Sequence, residues 1–377
     1  MKQTYLNNAS AAFPLAPGVI EAVHKSLNEP PRISGRDVGA KDDSIKLCRM
    51  KLALLLSVDE NRIVLTPNAT YGLNTIFHGI GLEQGDLVIT SIMEHNSVLR
   101  PLKMLEDNWG IRLQYIPLDD EMKLDENIYD SLLNKKPRLV VLTHASNVTG
   151  RINEIKRFFQ KAKSIGVLTV LDASQTVGRI PVKADELNAD MVVFPGYKGL
   201  RAPLGCGVLY INPDVKLNQS YSGGTGIKSD LLVHPKEMPL RHEAGTPNVH
   251  MFSGLNAALD FNFENFDKIT QKEAELKKLL YQGLSDIEGV NIADPDFAES
   301  LPIVSFTISE MEAELVGFAL MEGFGIECRT GLHCAPLLHE ALGVSGTIRF
   351  SPSFFNEEAE IEYALSAIRK IINENNK

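Results

Sequence analysis

Between residues 63 and 211, short apolar or β-branched runs alternate with longer stretches whose apolar positions recur at helical spacing. Such alternation is the signature of βαβ units, and an unbroken apolar run suits a strand buried on both faces. The pattern predicts seven strands, over 63–66, 87–91, 113–117, 139–143, 168–172, 191–194 and 207–211. The expected class is α/β, a sheet covered by helices on both faces. Ligands of open α/β sheets gather beyond the carboxyl ends of the strands. Thr66, Ser91, Thr143 and Asp172 stand at such ends, so the polar residues after these strands should converge on one crevice.

After Pro247 the rhythm changes to a long helical stretch, a strand over 303–308, a helix near 311–321, strands near 325–328 and 347–351, and a last helix over 357–372. This reads as a smaller α+β unit. At 377 residues the chain exceeds the usual size of one compact core. Two domains are expected, a large one over 16–254 and a small one over 255–377, with 1–15 packing alongside the small one. The sequence carries no internal repeat, low-complexity tract or long flexible linker, so the two units should pack together with the site at their junction.

Composition narrows the class. With 44% hydrophobic and 23% charged residues the chain reads as a globular protein. A net charge of −10 argues against nucleic acid or an anionic membrane as partner, since either needs a clustered basic face. A local basic pocket is compatible with that balance. Residues 1–8 hold no apolar core of signal-peptide length, and no stretch approaches the roughly 18 apolar residues of a membrane span. A cytoplasmic location is expected. The cysteines Cys48, Cys206, Cys328 and Cys334 are too few and scattered for a disulfide framework and lack metal-ligand spacing. One that matters would work as a free thiol.

The strand over 168–172 runs into Asp172, Ala173, Ser174 and Gln175, and further along lies Lys198 within Gly196, Tyr197, Lys198, Gly199. A carboxylate at the end of a buried strand can keep a pyridinium nitrogen protonated, while a lysine forms a Schiff base; this is the layout of a pyridoxal 5′-phosphate (PLP) site. A lysine among Gly196, Gly199 and Pro203 is not at a typical solvated position, and beside an imine and a phosphate it could act as a base. The stretch from Thr66 to Asn74 follows a strand and opens a helix, so its free N–H groups and the Thr70 hydroxyl could hold a phosphate; a helix N-cap is the plainer reading of Thr66 or Asn68.

His95 follows the 87–91 strand, where an imidazole could stack on a planar ring and move a proton, or be structural. The Asn147 amide could donate to a phenolate oxygen, or serve a turn closed by Gly150. Gln175 could share that task, or face solvent in the first turn of a helix. In the run from Cys328 to Pro336 a cysteine lies beside a histidine and an arginine, an electropositive setting that favours a thiolate at Cys334. Cys48 and Cys206 read as structural. Arg349 could pair bidentately with a substrate carboxylate.

Together these segments resemble the class V aminotransferase group of fold-type I PLP enzymes, and within it the cysteine desulfurase and selenocysteine lyase branch. The resemblance spans nearly the whole chain: Tyr5 to Ala9, Glu94–His95, Ser146 to Val148, Asp172 to Gln175, the lysine segment, Gly223 to Gly226, and Arg241 to Asn248. Arg329 to Ala335 is similar to the version in the second subgroup of desulfurases. Two places depart from the pattern. Members usually carry a serine or threonine and then a histidine where this chain has Pro195 and Tyr197, and the stretch from Ser351 to Phe355 also differs. The Tyr197 phenol could still donate to phosphate.

The resemblance implies a fold-type I homodimer whose large domain has a mainly parallel seven-stranded sheet. Lys198 would carry the Schiff base, Asp172 would bind the ring nitrogen, Gln175 and Asn147 would lie near the phenolate oxygen, and His95 would stack on the ring. Ala69 and Thr70 would bind phosphate, joined by Thr225 of the other subunit. Arg349 would hold the substrate carboxylate, and Cys334 would be the nucleophile that takes sulfur from L-cysteine as a persulfide, leaving L-alanine. A sulfur-acceptor protein would then receive it. The rival readings are a selenocysteine lyase, a transaminase or other class V enzyme on a different amino acid, and a non-catalytic scaffold.

Overall fold

The computed structural model describes residues 3–31 and 43–375; Met1 and Lys2, at the start of the segment read for a leader, lie outside it. In chain order the elements are β1 (Thr4–Tyr5), α1 (Val19–Leu27), α2 (Ser44–Leu56), β2 (Ile63–Thr66), α3 (Ala69–Gly79), β3 (Leu87–Ser91), α4 (Asn96–Trp109), β4 (Arg112–Ile116), α5 (Glu126–Leu133), β5 (Leu139–Thr143), α6 (Ile155–Ser164), β6 (Leu168–Asp172), β7 (Met191–Pro195) and β8 (Gly207–Ile211). They continue with α7 (Val249–Ser285), β9 (Val290–Ile292), β10 (Val304–Ile308), α8 (Ala313–Phe324), β11 (Ile326–Glu327), β12 (Arg329–Gly331), α9 (Pro336–Ala341), β13 (Thr347–Phe350) and α10 (Glu358–Asn375).

Strands β2 to β8 form one seven-stranded sheet in the order β2-β8-β7-β6-β5-β3-β4. Only β8 runs against its neighbours, pairing antiparallel with both β2 and β7. Side chains of a strand alternate between faces, and here both faces are apolar. Leu65, Ile89, Leu142, Leu171 and Phe194 enter one core with α2, α5, α6 and the first part of α7. Val64, Val88, Val141, Val170 and Val193 enter the other with α3 and α4. That is why these strands read as unbroken apolar runs.

A second sheet, β12-β13-β10-β9, is antiparallel and packs on α8, α10 and the later turns of α7 through Leu276, Leu280, Phe306, Phe350 and Ile368. The expected change of domain at 254/255 falls inside α7, a helix of 37 residues shared by both cores. The amino-terminal segment pairs β1 parallel with β11, and Asn7 bridges to Ser351. Among the described residues no helix is long and apolar enough to cross a membrane.

Candidate active site

Asp172 ends β6 with its carboxyl buried and accepts the Ser174 N–H at Oδ1 (2.9 Å). Burial pushes its pKa up, while Ser174 and the Lys198 charge pull it down. Lys198 lies in the turn after β7, which closes through Arg201 N–H to the Lys198 carbonyl (2.9 Å) and Gly196 N–H to the Cys206 carbonyl (2.8 Å). A Cβ on Gly199 would strike the Val177 carbonyl oxygen, so the lysine turn seats against the segment that follows Asp172 only because residue 199 has no side chain. Burial lowers the Lys198 pKa to about 8; Asp172 opposes this, and Arg349, Arg179 and Arg329 add to it. No hydrogen bond or ion pair holds Nζ among the described residues.

His95 is the N-cap of α4: its Nδ1 accepts the Ser97 N–H (3.0 Å), so the neutral ring carries its proton on Nε2. Burial first, then the charges of Lys198, Arg329, Arg349 and Arg100, lower its pKa to about 3. The other strand ends expected to face a common crevice spend their polar groups on nearby partners. Ser91 Oγ (2.6 Å) and Thr143 N–H (3.0 Å) both donate to Oε1 of the fully buried Glu94, and Thr66 Oγ1 donates to the Asn68 carbonyl (3.0 Å). Asn68, not Thr66, caps α3 by accepting the Tyr71 N–H (2.9 Å), which leaves the N–H groups of Ala69 and Thr70 without helical acceptors. Gly207 lies tight under that helix start, where a Cβ would strike the Asn68 backbone.

Cys334 sits between β12 and α9, half-buried, with Arg329 Nη2 donating to its sulfur (3.1 Å). Of the two neighbours expected to make its setting electropositive, the arginine reaches the sulfur and the histidine is engaged elsewhere. His333 Nε2 is hydrogen-bonded to the Thr347 hydroxyl (2.8 Å), and burial lowers its pKa to about 2, so its ring is neutral. Both residues have left-handed backbones, His333 at φ 48 and Cys334 at φ 59, a conformation side chains disfavour. The surroundings hold it: Asn147 Nδ2 donates to the His333 carbonyl (2.7 Å) and Asn96 N–H to the Cys334 carbonyl (2.7 Å).

Arg349, fully buried, donates from Nη1 to the Asn147 carbonyl (2.7 Å) and from Nη2 to Ser10 Oγ (2.8 Å), with burial and the Arg329 charge lowering its pKa to about 9. Gln175 lies buried in a turn, where a solvent-facing place in a helix was the alternative, and donates to the Ala9 carbonyl (3.1 Å). Tyr197 is half-buried beside Asp172, and burial raises its phenol pKa. Thr225, whose hydroxyl donates to the Ile227 carbonyl (3.0 Å), lines a cavity of about 640 Å³ with Thr66, Pro67 and Tyr71. Sequence reasoning missed Asn7 and Ser10 as site residues. They lie more than 300 positions from the arginines they touch, and the residue types alone carry no signal.

The chain matches the Aminotransferase class-V family over residues 5–364. It belongs to that family. Among its relatives, a probable cysteine desulfurase of Pyrococcus abyssi is 32% identical, aligned over 86% of this chain and 82% of that one. One from Synechocystis sp. is 30% identical over 88% and 81%. The apo structure of a cysteine desulfurase from Thermococcus onnurineus superposes with a TM-score of 0.92 at 29% identity, covering 99% of this chain and 95% of that one. A cysteine desulfurase from Escherichia coli gives 0.88 at 27%, covering 98% and 95%.

In this class V chain the junction of the two sheets gathers groups that lack partners. Asn147 Oδ1, Gln175 Oε1 and Arg349 Nε are buried without a hydrogen bond, a state that favours a polar ligand in their place. The amide nitrogens of Asn147 and Gln175 each spend one N–H, on the His333 and Ala9 carbonyls, and keep a second to donate. With Arg349 Nε, the unpaired amine of Lys198 and the buried carboxyl of Asp172 they make a set that fits a small, anionic, aromatic cofactor bearing an aldehyde.

Proposed function

We propose that the protein is a PLP-dependent cysteine desulfurase that converts L-cysteine to L-alanine and leaves the sulfur as a persulfide on Cys334. The observation that carries this reading is the Cys334 sulfur held by the Arg329 guanidinium, whose charge also acts on the buried Lys198 beside Asp172. A transaminase has no use for that thiol.

Lys198 would hold the cofactor covalently, Asp172 would bind its ring nitrogen, and Asn147 and Gln175 would lie near its phenolate oxygen. Ala69, Thr70 and Tyr197 would receive the phosphate, with Thr225 reaching it from the other subunit of a homodimer. When bound, PLP supplies an electron sink for the carbon atoms of the substrate amino acid. Arg349 orients the substrate by its carboxylate, and Asn147 steadies that guanidinium through its carbonyl. With its pKa near 8, Lys198 has a sizeable neutral fraction at physiological pH and can take the Cα proton. His95, which would lie against the ring of the cofactor, is neutral and can donate the proton on Nε2.

The Cys334 thiolate forms an S–S bond as the substrate Cβ–S bond breaks. The electron pair stays with carbon, which a proton completes to alanine. A sulfur-acceptor protein then takes the outer sulfur, and a thiol carrier of this kind suits the reducing cytoplasm.

The test is to incubate purified protein with L-cysteine and a reductant, following alanine and sulfide together. We expect equal amounts of both from the wild type, with the rate lower by several orders of magnitude in Cys334→Ala. Alanine release that survives the substitution would sink the persulfide route, and no release from either protein would sink the substrate.

A further inference from the structure

Three side-chain hydrogen bonds meet at the hydroxyl of Ser10, in the segment between β1 and α1. Its hydroxyl accepts from Arg329 Nη1 (3.1 Å) and from Arg349 Nη2 (2.8 Å), and donates to Asn7 Oδ1 (2.7 Å). A hydroxyl has one proton and two lone pairs, so all of its capacity is in use. The proton directed to Asn7 aims both lone pairs at the guanidiniums. The other fork of Arg329 holds the Cys334 sulfur (3.1 Å), and Asn7 Oδ1 takes a further, longer bond from Arg349 (3.3 Å). No carboxylate of the described residues pairs with either arginine, so a neutral hydroxyl is what keeps two like charges side by side.

We infer that Ser10 is a positioning residue that couples the grip on the substrate carboxylate to the placement of the Cys334 nucleophile. One oxygen fixes the distance between the guanidinium that would bind substrate and the guanidinium that holds the thiol. A shift of Arg349 on binding is therefore passed to Arg329 through a shared acceptor. The segment is anchored for this role, since Tyr5 Oη donates to the Ala11 carbonyl (2.8 Å), Ala12 N–H to the Tyr197 carbonyl (2.9 Å) and Ser351 N–H to the Leu6 carbonyl (2.7 Å). The part that concerns Arg349 rests on the function proposed above; the part that concerns Cys334 does not.

The experiment is alkylation of the cofactor-loaded protein by iodoacetamide at neutral pH without substrate, reading the Cys334 peptide by mass spectrometry so that the other thiols are counted separately. Losing one hydrogen-bond anchor of Arg329 should slow Cys334 modification about fivefold in Ser10→Ala. Ser10→Thr, which keeps the hydroxyl, should restore the wild-type rate. With L-cysteine, Ser10→Ala should also raise KM and lower kcat together, because both guanidiniums lose the same acceptor. An unchanged alkylation rate in Ser10→Ala, or a Ser10→Thr variant as slow as Ser10→Ala, overturns the inference. Should Ser10→Ala fail to fold, Asn7→Ala frees the hydroxyl proton while keeping the oxygen, and an unchanged rate there overturns it equally. A protein that releases no alanine would remove the desulfurase reading and leave the alkylation comparison standing.

Discussion

Glu94 shows how much a single residue depends on what surrounds it. Its carboxyl is fully buried, Oε1 accepts from Ser91 and Thr143, and Oε2 has no partner. Burial raises its pKa from 4.5 to about 8 despite those two bonds, with the Asp172 charge pushing the same way. The folded state therefore binds this proton more tightly than the unfolded chain. The stability it contributes is fully present below pH 4.5 and is lost as pH rises through about 8. Glutamine cannot ionise, so Glu94→Gln should flatten the fall in unfolding temperature between mildly acidic and mildly alkaline pH by roughly a few degrees. Parallel thermal scans of the two proteins across that range check this; identical slopes would mean that Glu94 is ionised in the folded state. From the sequence, Glu94 was only the neighbour of His95. Its burial follows from α4 and β5 closing over it, which no local pattern reports.

At the scale of elements, the turn that carries Asn147 is set by residues far along the chain. Arg151, just past that turn, makes a buried bidentate pair with Asp294 (2.6 and 2.7 Å), and Ser305 Oγ donates to the Val148 carbonyl (2.6 Å). The 294–305 stretch thus clamps the end of β5 from the side of the second sheet. Asp294→Ala leaves the buried guanidinium with only the half-exposed Asp296 carboxylate at 3.6 Å, and a loss of about 3 kcal/mol is expected. Denaturant unfolding measures that loss, and a change under about 1 kcal/mol would place Arg151 within reach of other partners or water. The strands of the main sheet were legible because both of their faces are apolar. The short elements β1, β9, β12 and α9 were not, because pieces of two to six residues owe their form to pairing partners rather than to a periodicity of their own.

For the whole molecule, Leu231 and Val233 stand exposed and Leu232 fully so, on the long loop that also carries Thr225. Clustered apolar exposure on one loop marks a surface that meets another protein. Under the proposed homodimer this loop is covered by the second copy. Light scattering should give the mass of two chains for the wild type, and Leu232→Glu should shift it toward one chain with loss of bound PLP. A wild-type mass of one chain would remove the role proposed for Thr225. We also propose that the division at 254/255 is a change of core along α7, since the helix runs unbroken through it.

The sequence by itself determined the sheet strands, the change of character after Pro247, and the residue types of the candidate site: a lysine in a glycine turn, a carboxylate at a strand end, an arginine and a cysteine near the carboxyl terminus. Those features are local, written in periodicity and in the turn chemistry of neighbouring residues. Tertiary structure alone decided the partners. It bonded His333 to Thr347 and left Arg329 alone of the two expected neighbours on the Cys334 sulfur, set Asn147 against the His333 carbonyl, buried Glu94, and brought Ser10 between two arginines from the far end of the chain. Hydrogen bonds between residues hundreds of positions apart exist only after two cores have packed, and side-chain charge in such a place follows burial more than residue type.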